Sequence, residues 1–253
     1  MSLQGQHDVV RNESGFVAGM APEVTFGSSD LASLMQPTAK EALVSPDRKT
    51  VITHSSLASF VDGFTLPLQP KLSTQITGLR KPVACIALPN GPLLAAVTLA
   101  VANRYVAAPV SGESNLGAEQ FKSDVLQSGA QCILTTAESA ERLELAGAEW
   151  LVEHRVEVFV LETASTPGNE LSTLESLKLK RLDGMWATMG GTQPEPNMGD
   201  DISIILFTSG TSGTKKVVPI TTRNILSGVR FVVESWALTK EDVCLNMMPL
   251  HHV

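Results

Sequence analysis

The sequence predicts an α/β fold in which a parallel β-sheet carries helices on both faces. Short apolar runs alternate with helical patterns between residues 81 and 161, which is typical of β-α-β units with right-handed crossovers. A further apolar run at residues 202–207 lies between two aspartates and a cluster of Gly, Ser and Thr. This second pattern predicts a buried strand that ends in a polar loop.

Composition excludes several classes of protein. With 43% hydrophobic and 18% charged residues, the chain is typical of a globular protein rather than a disordered one. The net charge of −7 argues against nucleic-acid and anionic-membrane partners. No apolar run reaches the ~18 residues of a membrane span, and the N-terminus lacks the layout of a signal peptide. We therefore predict a cytoplasmic protein, with the peroxisome as the alternative compartment.

The chain shows no convincing metal-binding pattern. Cys85, Cys132 and Cys244 lie in apolar runs without metal-ligand spacing, which predicts buried, reduced thiols. Asp200 and Asp201 are candidate metal carboxylates, but no third ligand is suitably spaced, so a solvated pair ahead of a strand is favoured. We predict no protein-bound metal.

The N-terminal part of the chain predicts a loose leader followed by short elements. Residues 1–28 mix polar residues and glycines with few apolar clusters, so the leader is assigned there and the main domain to residues 29–253. Ser29 or Asp30 is expected to cap a short helix. A turn at residues 46–47, a strand around residues 51–52 and a helix at residues 57–61 are expected next.

The predicted β-α-β units follow in order along the chain. Their strands are expected at residues 83–88, 105–110, 132–134 and 156–161. Their helices are expected at residues 93–102, with Asn90 as a cap, then from a cap at Ser114 or Asn115 through Leu126, and at residues 138–145. The Gly- and Pro-rich stretch 163–200 predicts a surface excursion with one amphipathic piece around residues 174–179.

A helix and a strand are predicted after the polar loop. Thr221 or Thr222 is expected to cap the helix. Apolar residues at helical spacing from Ile225 to Trp236 predict a stripe that packs in the core. Residues 243–248 predict the next strand.

The loop from Thr208 to Lys216 combines groups that bind phosphate. Hydroxyl groups alternate with Gly210 and Gly213, which permit positive φ and a close approach of backbone N–H groups to a ligand, and Lys216 adds a positive charge. A solvated turn is the alternative, but a strand before the loop and apolar residues after it favour a ligand-binding loop. The glycine spacing differs from that of the P-loop of nucleoside triphosphatases.

This loop resembles the signature of the adenylate-forming superfamily, which includes acyl- and aryl-CoA synthetases, luciferases and peptide-synthetase adenylation domains. The pattern T-S-G-T-T-G-x-P-K-G-V aligns with residues 208–218. Lys215 stands where proline is usual, and Val217 where glycine is usual. Lys216 occupies the lysine of the motif.

Three further segments resemble the same family, in the expected order. Residues 87–92 match a recurring L-P-N turn, and residues 105–110 match the strand that follows the first helix. The final residues resemble the motif P-L-F-H-V, with His251 at an aromatic position and His252 on the histidine. Since peptide-synthetase domains typically carry an aromatic-Asp pair there, the resemblance favours CoA ligases.

The resemblance implies that residues 29–253 are the N-terminal portion of an AMP-binding large domain, with the C-terminal lid domain absent. It implies an enzyme that uses ATP and Mg²⁺ to convert a carboxylic acid to an acyl-adenylate, then transfers the acyl group to CoA or phosphopantetheine. The nucleotide-binding positions that it assigns are Thr208, Ser209, Gly210, Thr211, Ser212, Gly213 and Lys216. It assigns His252 to the acid pocket as the catalytic-site residue.

The expected partners are therefore a small-molecule carboxylic acid and the missing C-terminal region of the same protein, with no nucleic acid and no membrane span. Because the resemblance places the adenine pocket and the adenylation lysine in that missing region, we expect the 253-residue chain alone to be inactive. Two alternatives stay open: an adenylation domain of a nonribosomal peptide synthetase, and a non-catalytic fragment that binds phosphate groups or nucleotides.

Overall fold

The structure of the chain is a computed structural model. It describes residues 10–11, 17–18, 30–68, 79–111, 117–163, 174, 176–187, 193–208 and 215–251. The predicted loose leader at residues 1–28 falls almost entirely outside this part of the chain, as does Ser29.

Most strands in the described part of the chain join one sheet. The strands are β1 (Val10–Arg11), β2 (Val17–Ala18), β3 (Glu41–Val44), β4 (Val51–Thr53), β5 (Val83–Ala87), β6 (Val106–Pro109), β7 (Cys132–Thr135), β8 (Glu157–Thr163), β9 (Leu177–Arg181), β10 (Ile202–Thr208) and β11 (Lys216–Thr221). The large sheet has seven strands in the order β11-β10-β6-β5-β7-β8-β9. Its five inner strands are parallel, and the edge strands β11 and β9 are antiparallel to their neighbours.

Helices cover both faces of this sheet. They are α1 (His54–Gly63), α2 (Pro92–Arg104), α3 (Ala118–Ser128), α4 (Ala137–Arg142), α5 (Glu149–Glu153) and α6 (Thr222–Trp236), together with a 3₁₀ turn at Ala32–Leu34. Helices α1 and α2 pack on one face, whereas α3, α4 and α5 pack on the other. The predicted α/β fold with a mostly parallel sheet and helices on both faces is confirmed.

The central strand β5 shows why this sequence forms a two-sided sheet. All five of its residues are buried. Ala84 and Ile86 pack in the cluster with α1 and α2, while Val83, Cys85 and Ala87 pack in the cluster with α3. Because alternate side chains point to opposite faces, a strand covered on both sides must be apolar throughout, as this one is.

Two elements between residues 138 and 181 differ from the prediction. The helix predicted at residues 138–145 ends at Arg142, because the chain turns through a left-handed conformation at Glu144. The segment predicted as a surface excursion contains the strand β9, which pairs with β8 and buries Leu179. The apolar residues of this segment therefore form a strand because they pair with β8, a partner that the local sequence did not show.

The elements that follow β11 pack less than predicted. Ile225 and Leu226 of α6 contact the core, but Val229, Val232 and Trp236 are exposed, so most of the predicted core stripe is wrong for this structure. Residues 243–248 form no strand. A strand forms only where its backbone can pair with a neighbouring strand, and none of the described strands pairs with this segment.

The predicted caps have mixed outcomes. The carboxylate of Asp30 accepts the Ser33 N–H at 2.8 Å, in keeping with the predicted capping role. Thr221 caps α6 with Asn224 as its reciprocal partner, so this prediction is confirmed. Helix α3 begins after Gly117, and Ser114 and Asn115 lie outside the described residues.

Candidate functional site

The candidate site lies at one edge of the large sheet. Strands β10, β6 and β5 are parallel neighbours, so their carboxyl ends meet at the same edge. Thr208, Pro109 and Ala87 are the last residues of these strands. In open α/β sheets, ligands bind in the crevice outside the carboxyl ends of the strands. The predicted phosphate loop and the predicted L-P-N turn thus leave the sheet on the same side.

Thr208 and Lys216 form the two stems of the predicted loop. Their Cα atoms are partners in the antiparallel pairing of β10 with β11. Directly opposed residues place their side chains on the same face, so this pairing puts a hydroxyl-bearing and an ammonium-bearing side chain on one face of the sheet. The Thr208 side chain is half-buried and Lys216 is exposed. The other predicted nucleotide-binding positions, Ser209, Gly210, Thr211, Ser212 and Gly213, lie outside the described residues.

Lys215 has different surroundings from its neighbour Lys216. Its Nζ lies 2.6 Å from Oδ2 of Asp124 on α3, and the second carboxylate oxygen accepts a hydrogen bond of 2.9 Å from Gln120 Nε2. The ammonium also lies 5.9 Å from the centre of the Phe207 ring, within cation–π range. The residue that replaces the usual proline is therefore held against α3.

Asn90 connects the L-P-N turn with the final segment of the chain. Its Oδ1 accepts the Leu250 N–H at 3.0 Å, and helix α2 begins at Pro92 without a side-chain cap, so the predicted capping role of Asn90 is wrong. A cavity of about 310 Å³ lies here, with Asn90, Gly91 and Leu250 in its wall. His252, predicted to shape the acid pocket, lies outside the described residues.

A larger cavity elsewhere does not suit an anionic ligand. Its volume is about 620 Å³, and it lies between α5 and β8. The lining is mostly apolar, and its charged side chains, Glu149 and Glu153, are acidic. Because carboxylates repel phosphate groups, we place the candidate site at the loop stems instead.

Each of the two aspartates that precede β10 has a polar partner in the structure. Asp200 lies 3.0 Å from Nε of Arg223, and Asp201 accepts the Met198 N–H at 3.0 Å. No group of three His, Cys, Asp or Glu residues that could hold a metal ion occurs in the described ranges. No described helix is long and apolar enough to cross a membrane.

Sequence reasoning missed the contribution of α3 to this site. Asp124 lies between Phe121 and Val125, which are both fully buried. A charged residue next to the apolar positions of a helix was the available signal, since burying a carboxylate is unfavourable without a partner. The partner, Lys215, is 91 residues away in sequence, so the pairing itself was not predictable from the local pattern.

The sequence comparisons give consistent relatives. The model of the family described as AMP-binding enzyme matches residues 33–253. Human mitochondrial malonate–CoA ligase ACSF3 is 45% identical over 60 residues, which are 24% of this chain and 10% of that protein. Oxalate–CoA ligase of Arabidopsis thaliana is 26% identical over 235 residues, which are 89% of this chain and 41% of that protein. The chain thus spans less than half the length of these relatives.

Solved structures share the fold. ATP-bound MatB from Rhodopseudomonas palustris superposes with a TM-score of 0.58 at 15% identity, over 88% of this chain and 41% of that chain. A long-chain-fatty-acid CoA ligase described as putative, from R. palustris CGA009, gives 0.59 at 17% identity, over 90% and 53%. At these identities the likeness concerns the fold, which matches the N-terminal part of the large domain of adenylate-forming enzymes.

Proposed function

The chain belongs to the AMP-binding enzyme family, and on this premise we propose that it is the ATP-phosphate-binding part of an acid–thiol ligase. The enzyme would activate a carboxylic acid as an acyl-adenylate and pass the acyl group to a thiol. CoA is the favoured acceptor, because the relatives reported above are CoA ligases. The observation that carries the proposal is the pairing of Thr208 with Lys216 at the carboxyl edge of the sheet.

In the first step, a carboxylate oxygen of the acid attacks the α-phosphorus of ATP. The bond from that phosphorus to the bridging oxygen breaks, and pyrophosphate leaves with the electron pair. Lys216 and the Thr208 hydroxyl would bind the β- and γ-phosphate oxygens, where negative charge accumulates. In the second step, the thiol loses its proton, its sulfur attacks the acyl carbon, and AMP leaves with the electron pair of the broken acyl–oxygen bond.

The remaining predicted positions complete the proposal. Ser209, Gly210, Thr211, Ser212 and Gly213 would supply hydroxyl and backbone N–H donors to the same phosphates. His252 would shape the acid pocket. Mg²⁺ would neutralise phosphate charge and would arrive bound to ATP, because this ion is held largely by water and substrate phosphates. A cytoplasmic location stays a prediction.

Lys216→Ala tests the nucleotide site directly. The change removes a charge-assisted contact, so we expect the Kd for a fluorescent ATP analogue to rise about tenfold or more. Lys240→Ala is the matched control, because Lys240 is an exposed lysine beyond α6. An unchanged Kd for Lys216→Ala, or an equal rise for Lys240→Ala, would remove Lys216 from the proposed site.

Pyrophosphate exchange tests the proposed reaction. Purified protein is incubated with ATP, labelled pyrophosphate and an acid from a panel that includes malonate, oxalate and a long-chain fatty acid, as the relatives' names suggest. We expect acid-dependent exchange from the longest protein that the gene encodes, and ATP binding without exchange from the 253-residue chain alone. ATP binding with no acid-dependent exchange in either protein would instead support a non-catalytic nucleotide-binding role.

A further inference from the structure

We propose that Asp124 is a positioning residue that selects Lys216, rather than Lys215, as the lysine that faces the phosphates. This inference rests on the proposed function of Lys216 as a phosphate ligand. Asp124 acts through its ion pair with Lys215, the residue immediately before β11. Either of the two adjacent lysines could face the phosphates, depending on the register of β11 with β10. The buried carboxylate favours one register because it pairs with Lys215.

The carboxylate of Asp124 is held in one position. Its side chain is only 2% exposed, and both of its oxygens are occupied, one by Lys215 at 2.6 Å and one by Gln120 at 2.9 Å. Helix α3 holds it in place through Phe121 and Val125, which are buried against the sheet. A lysine that pairs with this group is therefore held at a defined position.

Because side chains alternate between the two faces of a strand, the position of Lys215 also determines the face to which Lys216 points. Phe207 and Val217 are paired in register, and both pack on the α3 face of the sheet. Lys215 is two residues before Val217 and lies on the same face, where it reaches Asp124. Because successive side chains point to opposite faces, Lys216 is directed to the other face together with Thr208.

A slip of one residue would exchange the two lysines. In a strand with period two, such a slip moves every side chain to the opposite face. The slipped register would point Lys216 at Asp124 and Lys215 at the ligand. The Thr208–Lys216 pairing seen in the structure is the other arrangement.

The ion pair is better explained by positioning than by stability. The Asp124 side chain is 2% exposed and that of Lys215 is 31% exposed. An ion pair with a buried member is often no more stabilising than apolar residues of similar volume, because the buried charge must be desolvated. Specifying a register is the best-attested use of such buried polar groups. Where the resembling family carries proline at this position, its ring would restrict the backbone directly. Here the same position is restrained through a side chain.

Lysine acetylation without ATP tests the positioning independently of function. The protein is treated briefly with an acetylating reagent, and peptide mass spectrometry compares the two lysines. We expect Lys216 to react at least about tenfold faster than Lys215 in the wild type, and the two rates to lie within about threefold in Asp124→Asn. Asp183→Asn is the matched control, since Asp183 is an exposed aspartate that contacts a backbone N–H. A Lys215 that stays protected in Asp124→Asn would overturn the proposal.

A double-mutant cycle with ATP tests the selection of the lysine. In the wild-type background, Lys216→Ala should raise the Kd for the ATP analogue about tenfold, whereas with Asp124→Asn the released Lys215 should substitute and limit the rise to about threefold. Additive effects, which a merely structural role would give, would overturn the proposal. No effect of Lys216→Ala in either background would refute the proposed nucleotide site, while the acetylation result still decides the positioning.

A second variant covers the case in which Asp124→Asn unfolds. Lys215→Met keeps an unbranched side chain one atom shorter and removes the charge, so it breaks the same ion pair without changing α3. In this variant the slipped register is no longer opposed, and it points Lys216 at Asp124. Lys216 should therefore become less accessible to acetylation, and ATP affinity should fall. Wild-type reactivity and affinity in Lys215→Met would contradict the role assigned to the ion pair.

Discussion

Burial separates the cysteines of the chain into two chemical kinds. Cys85 and Cys132 are fully buried in the neighbouring strands β5 and β7, whereas Cys244 is exposed, so the predicted burial of Cys244 is wrong. Burial raises the pKa of the Cys85 and Cys132 thiols well above the usual value. Since the thiolate is the reactive form, both buried thiols are inert near neutral pH.

We therefore expect iodoacetamide at pH 8 to modify Cys244 alone in the folded protein. Cys85 and Cys132 should react only after urea unfolds the chain, when their pKa values return to ~8.5. Mass spectrometry of the peptides before and after unfolding gives the measurement. Modification of Cys85 or Cys132 at the rate of Cys244 under native conditions would mean that the central strands open.

At the same scale, the sequence pattern singled out the residues proposed to face the ligand, but not the residues that support them. The motif singled out Thr208 and Lys216, and the structure places them opposite each other. Asp124 was not identified, because its partner Lys215 lies 91 residues away in the sequence. Asn90 was assigned to the wrong partner, since a local cap was inferred where the amide instead bonds to Leu250. Local patterns do not show which distant segment will satisfy a polar group.

At the scale of elements, Thr221 joins β11 to α6. It is the last residue of the strand and the N-cap of the helix, where its side chain accepts the Asn224 N–H. Thr221→Ala should lower the free energy of unfolding by about 1 kcal/mol, because a helix N–H loses its acceptor. Thr221→Ser keeps the hydroxyl and should lose much less. Urea denaturation measures both variants, and equal losses would show that the methyl group, not the cap, matters.

Elements were predicted correctly where local pattern and long-range pairing agree. The apolar runs at β5, β7 and β10 are strands because each pairs with a neighbouring strand on both sides, and helices pack on both faces of the sheet. Residues 243–248 have a similar composition and form no strand. Conversely, β9 was not predicted as a strand, although it pairs along its length with β8. A strand is a property of a pair, so an apolar run alone does not establish one.

At the scale of the whole molecule, the order of strands in the sheet determines which strand ends lie together at the candidate site. The sheet places β10 beside β6 and β6 beside β5, so the carboxyl ends of β10 and β5, at Thr208 and Ala87, lie at one edge although 121 residues separate them in the sequence. Alternating strands and helices predicted the fold class, because β-α-β units admit few arrangements. The antiparallel edges formed by β11 and β9 did not follow from that alternation.

The described surface also carries many exposed apolar side chains after β11. Phe231 and Trp236 on α6 are 70% and 71% exposed, and Val243 and Met247 in the next segment are 96% and 84% exposed. Monomeric soluble proteins rarely expose large apolar patches, so such side chains favour association or dye binding.

We therefore expect the double variant Val243→Ser and Met247→Ser to lower the fluorescence of a bound hydrophobic dye such as ANS. Because both side chains are almost fully exposed, the free energy of unfolding should change by less than about 0.5 kcal/mol. Met198→Ser is the matched control, since Met198 is 49% exposed and lies outside this segment, and it should leave dye binding nearly unchanged. A large loss of stability in the double variant would mean that residues 243–248 pack against the body of the protein in solution.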